Sequence, residues 1–179
     1  FSGREALWAT ALGAAYLGVE LVLMQRATLY LGHPTWAVAA TLLALLLASS
    51  VGAAWVGRAK DPAKRSRDGA LVAGAIGVVM ALGFPAALRV LSTDSLPLRI
   101  AAFVLCVAPV GVAMGVPFAG GLRVTRGAEN VAWTLAVNAV AGVVAALAVP
   151  VIAMAFGFEV IGVCAALLYW LAASVAPKA

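Results

Sequence analysis

The run VAWTLAVNAVAGVVAALAVPVIAMAF, Val131 to Phe156, holds 26 residues and no charged side chain. A helix at the surface of a soluble domain keeps a polar face for water, and this run offers none. Its length suits a bilayer, whose hydrocarbon core takes about 20 apolar residues in helical form. The run reads as a transmembrane helix and sets the scale for the rest of the chain.

Working outward, five more apolar runs appear at about residues 6–31, 35–56, 69–91, 98–122 and 160–175. The fold class expected is therefore all-α, a polytopic bundle of about six spans forming one transmembrane domain over residues 1–179. His33-Pro34 ends the first span, because the residue before proline disfavours the helical region. A turn is expected at Ser92 to Pro97, a polar loop at Arg123 to Asn130, and a tight connection at Gly157-Phe158-Glu159. Arg58 to Asp68 (RAKDPAKRSRD), with five basic residues and a proline, reads as a loop.

Composition agrees. The 179 residues are 65% hydrophobic and 11% charged, with a mean hydropathy of +1.08. Soluble domains carry about 25% charged residues. The net charge of +5 could suggest nucleic acid, but that requires basic residues gathered on one face. Here they lie in short connectors, so no nucleic-acid partner is expected. With the N-terminus inside, Arg4, Arg58, Lys60, Lys64, Arg65, Arg67, Arg123, Arg126 and Lys178 fall on the cytoplasmic side. Arg26, Arg89 and Arg99 fall on the other. Nine against three predicts both termini in the cytoplasm. The opening Phe-Ser-Gly-Arg-Glu lacks a signal-peptide pattern and is expected of a chain that begins partway along a longer protein.

Chemistry-bearing motifs are scarce. Cys106 and Cys164 sit in apolar runs and read as small hydrophobes. One histidine, His33, precludes a bis-histidine haem or multi-histidine zinc site within this chain. No phosphate-binding glycine loop, Ser/His/Asp set or carboxylate pair is recognisable. The expectation is no catalytic residue, no cofactor and no metal.

The candidate functional residues are polar groups in apolar surroundings: Glu20, Gln25, Arg26, His33 and Asn138. An acid at bilayer depth costs about 2.5–3.5 kcal/mol on insertion scales, so it turns inward and finds a partner. For Glu20 the expected partner is Asn138 on the fifth span, with Gln25 or Arg26 as second choice. Glu20 then either carries a proton or cation, or pins helix packing. His33 is expected to cap a helix end beside Pro34. Pro85, Pro109, Pro117 and Pro150 lie in or at the ends of spans and can bend them. The five tryptophans, mostly near span ends, read as an interfacial belt. Small-residue spacings at Ser49/Ala53, Gly69/Ala73/Gly77 and Gly111/Gly115 predict close helix contacts.

The stretch Tyr16 to Val38, YLGVELVLMQRATLYLGHPTWAV, carries a glutamate, then Gln25-Arg26, then Leu31-Gly-His-Pro-Thr35. This pattern resembles the first helix and turn of the C-terminal membrane region in bacterial spermidine-synthase-like integral membrane proteins. Met114-Gly-Val-Pro-Phe118, Gly121-Leu-Arg123, Trp133 and Val137-Asn138 extend the likeness. In that family the membrane helices are similar to parts of major-facilitator transporters and accompany an aminopropyltransferase-like domain, which this sequence lacks.

The resemblance implies a multi-pass module of the bacterial cytoplasmic membrane with no catalysis of its own. Its partners would be the lipid bilayer and either other membrane subunits or a fused soluble domain. The role expected first is anchoring or scaffolding, which predicts a closed bundle without a continuous water-filled cavity, found with at least one other membrane protein. The competing role is transport of a small cation such as a polyamine past Glu20.

Overall fold

In the computed structural model the chain is all-helical. Residues 2–91 and 93–177 are described, without the side chain of Pro85. Expectations resting on Ser92, on the Pro85 ring and on Lys178 lie outside the described residues. Six helices follow one another: α1 (Gly3–Leu31), α2 (Pro34–Gly57), α3 (Pro62–Val90), α4 (Leu96–Val124), α5 (Ala128–Phe156) and α6 (Phe158–Ser174). Five of them are long and apolar enough to cross a membrane, and α6, at 17 residues, is shorter.

Local chemistry explains each boundary. Ser2 and Glu5 form a capping box at the start of α1. Gly32 ends α1 in the left-handed conformation at φ 78°, where a side chain would be strained. His33 then caps α2, its Nδ1 accepting from the Thr35 amide at 3.3 Å, with Pro34 in the first turn.

The expected loop at 58–68 is corrected. Only residues 58–61 lie outside helix, and α3 begins at Pro62 with Asp61 as its cap, accepting from the Lys64 amide at 2.9 Å. The Asp-Pro pair that suggested a loop is a helix start. Helices α4 and α5 likewise extend into the expected loop, leaving Thr125 to Gly127 between them.

Helices α1, α2, α4, α3 and α6 pack side by side in that order and close into a ring, and α5 lies outside it against α1. The ring is held by small residues. On α2, Ala48, Ser49 and Gly52 meet Gly111, Val112 and Gly115 of α4 so closely that a Cβ at Gly115 would overlap the Ser49 carbonyl oxygen. A Cβ at Gly52 would overlap that of Val112. Between α1 and α5, a Cβ at Gly13 would strike the Asn138 carbonyl oxygen. With lipid outside, such backbone approach is what brings helices together.

Trp8 departs from the expected belt. It is fully buried, stacks on Phe118 with ring centroids 5.6 Å apart, and fills space that Gly121 leaves open. The other four tryptophans are exposed.

Arginines secure helix ends. Arg4 donates to the carbonyls of Ser174 and Val175 at the end of α6, and Arg123 to those of Val56 and Gly57 at the end of α2. Arg99 donates to Tyr30 near the end of α1. Carbonyls of a last turn have no partner within their own helix, and a cation there also meets the negative end of the helix dipole.

The tight seam yields a paired prediction. Gly115→Leu should destabilise the bundle by about 1–3 kcal/mol or more, since the added atoms meet backbone that cannot rotate away. Gly83→Ala, with nothing within 4 Å of the new methyl, should instead stabilise by about 0.5–1 kcal/mol. Unfolding of both variants in mild detergent, followed by circular dichroism, reads the two signs.

Candidate functional site

The five candidate residues are not brought together. Asn138 serves the α1–α5 contact, its Nδ2 donating to the Ala9 carbonyl at 3.1 Å. The expected Glu20–Asn138 pairing is thus corrected: Ala9 lies eleven residues before Glu20, about 16 Å along the helix. The second-choice pairing with Arg26 is corrected too. Arg26 forms an ion pair with Glu159 at the start of α6. His33 is spent on its capping bond, and Gln25 is half-buried.

Glu159 was passed over in the sequence because it sat in what read as a connection. It is the acid of the first turn of α6, where a carboxylate complements the helix dipole. The Arg26 guanidinium and a backbone amide hold its carboxyl below the usual range.

Glu20 has neither hydrogen bond nor ion pair among the described residues. It is half-buried and shares one stripe of α1 with Leu12 and Tyr16, four residues apart each. Leu12 and Tyr16 of that stripe, but not Glu20, line a cleft of about 520 Å³ between α1, α2 and α4, also reached by Asn138 of α5 and Tyr169 of α6. Its walls mix hydroxyls and an amide (Tyr16, Ser49, Ser50, Asn138, Tyr169) with Leu12, Met114 and Phe118. The Ser49 hydroxyl donates to the Leu46 carbonyl of its own helix at 3.3 Å. Tyr169 is 1% exposed, and its hydroxyl has no partner. Leu46 and Ser50 are exposed at the mouth.

A second cavity of about 570 Å³ has another character. It is a groove between α1, α5 and α6, floored by Ala14, Gly18, Ala141, Ala145, Ala148 and Ala165. Val140, Val144 and Cys164 stand exposed along it. The expected Gly111/Gly115 seam, by contrast, is consumed inside the chain by α2. Among the described residues no cluster of three His, Cys, Asp or Glu side chains could hold a metal.

No protein-family description, curated protein or solved structure matches the chain.

The Arg26–Glu159 pair carries a pH prediction. A depressed carboxyl pKa contributes stability above the unfolded value, near 4.5, and loses it as pH falls through the lower folded value. The pair is exposed on the Glu159 side, so its contribution is that of a surface ion pair, under about 1 kcal/mol. Melting temperatures from pH 7 to 3 should fall more for the wild type than for Glu159→Gln, with the difference confined to the acid side.

Proposed function

We propose that the chain is a non-catalytic membrane module that holds a partner protein, seating one of the partner's apolar helices in the groove between α5 and α6. One observation carries the reading. The groove is apolar, open along its length and floored by alanine and glycine, while α5 touches α6 only slightly. A helix laid there could approach backbone to backbone, as α2 and α4 do within the chain. The exposed row Val140, Val144, Leu147 and Val151 on α5 would flank it with apolar surface.

The likeness of Tyr16 to Val38 to spermidine-synthase-like membrane proteins supports the same role, as the membrane part of a larger assembly. It also supports residence in a bacterial cytoplasmic membrane. The charge pattern supports an orientation with Arg4, Arg58, Lys60, Lys64, Arg65, Arg67, Arg123 and Arg126 at the cytoplasmic ends of the helices. Arg65 there stacks on exposed Trp55, 4.5 Å from the ring centroid, in the manner of an interfacial anchor.

Orientation is tested with single cysteines at Lys60 and Thr93, both exposed. In intact cells an impermeant maleimide should label the Thr93 variant and spare the Lys60 variant; the reverse pattern inverts the proposed topology.

A photo-crosslinking amino acid tests the partner. At Val144, in the groove, it should yield a discrete protein adduct in native membranes. At Leu105, 72% exposed on α4, it should capture lipid. Lipid adducts alone at both positions would remove the scaffold reading.

A further inference from the structure

Where α2 turns into α3, a cavity of about 650 Å³ collects four cations, Arg58, Lys60, Lys64 and Arg65, against two carboxylates, Asp61 and Asp68. These cations differ from the arginines that secure helix ends. Arg4, Arg99 and Arg123 are spent on backbone carbonyls, and Arg26 on Glu159. The side chains of Arg58, Lys60 and Lys64 are exposed and make no hydrogen bond or ion pair among the described residues. Asp61 lines the same cavity, but its carboxylate is engaged as the cap of α3, accepting from the Lys64 amide. Arg65 is positioned by its stacking on Trp55, 4.5 Å from the ring centroid. The corner thus keeps positive charge that folding has not used, which is what an anion requires.

What adjoins the corner identifies the anion. Trp55 ends an apolar stripe on α2, with Val51, Leu47 and Leu43 each one turn further back and all more than half exposed. From Leu43 to Trp55 the helix rises about 18 Å, close to one leaflet of a hydrocarbon core about 30 Å thick. A soluble anion would use the cations alone. A phospholipid uses both features, with its phosphate at the level of the interfacial tryptophan and an acyl chain on the stripe. A zwitterionic headgroup also carries a cation, which the basic side chains repel, so a net anionic lipid fits best. We propose that this corner binds an anionic phospholipid, its phosphate between Arg58, Lys60 and Lys64 and one acyl chain along the Leu43–Trp55 stripe. The site uses the bilayer in which the helices lie and does not depend on a partner in the α5–α6 groove.

The test uses the full chain in a neutral maltoside detergent, titrated with phosphatidylglycerol or phosphatidylcholine of equal chain length and read by native mass spectrometry. Phosphatidylglycerol should bind about tenfold more tightly or better, and less so as ammonium acetate is raised, because exposed cations are screened. Each basic residue near a membrane surface contributes about fivefold to the binding of anionic lipid. Lys60→Gln combined with Lys64→Gln should therefore weaken phosphatidylglycerol by about 25-fold. The melting temperature should not change, since neither side chain holds a partner in the fold. Arg89→Gln combined with Arg126→Gln removes the same charge from exposed positions outside the corner. That variant should keep its affinity within about twofold. Equal binding of the two lipids, or an equal loss in both double variants, would overturn the assignment. Displacement of the lipid by glycerol phosphate would overturn it in favour of a soluble phosphate, and displacement by a hexaglutamate peptide in favour of an acidic protein segment.

Discussion

The close approach of α2 and α4 is the contact on which the ring depends. Water drives soluble helices together; lipid does not, so these two are joined by dispersion across a backbone-to-backbone seam. Gly52 and Gly115 reach across it in opposite directions, each occupying the space beside the other helix's carbonyl. Because that seam is spent within the chain, whatever binds from outside must use another face.

The same economy governs polar groups. In a bilayer a free carbonyl or amide has no water to turn to. The arginines near the ends of α1, α2 and α6 answer this by donating to terminal carbonyls of their neighbours, tying helices remote in sequence: Arg4 reaches residues 174 and 175. The buried Ser66 hydroxyl likewise donates to the Pro117 carbonyl at 2.7 Å, joining α3 to α4. Among the described residues, Trp8 Nε1, Thr41 Oγ1, Arg99 Nε and the Tyr169 hydroxyl are buried without a partner, and Glu20 has no ion pair.

Much of this was legible in the sequence. Uncharged runs such as Val131 to Phe156 have the length and polarity of helices that cross a membrane, so class and element order followed from the sequence. Boundaries were missed where one signal has two meanings: Asp61-Pro62 reads as a break or as a helix start, and the burial of Ser66 on α4 accompanies the second. The site was less readable. Glu20 and Asn138 were identifiable as polar residues in apolar runs, but which of them meet depends on helix rotation and neighbour order. Trp8 and Tyr169 were invisible as interior residues because aromatics near span ends ordinarily face the interface. Tyr169 lies five residues from the end of α6, where only tertiary packing turns it inward.

The brevity of α6 has a consequence for the surrounding bilayer. Its 17 residues rise about 26 Å, against about 43 Å for each 29-residue neighbour. Arg26 contacts one end of α6 and Arg4 the other, ties that oppose sliding of the helix. A bilayer crossed by α6 would have to thin on that side of the protein to match, while around α2 and α4 it would not. Such one-sided mismatch would make the rim beside α6 the place where lipids are most strained and most readily displaced. It would also favour thinner membranes.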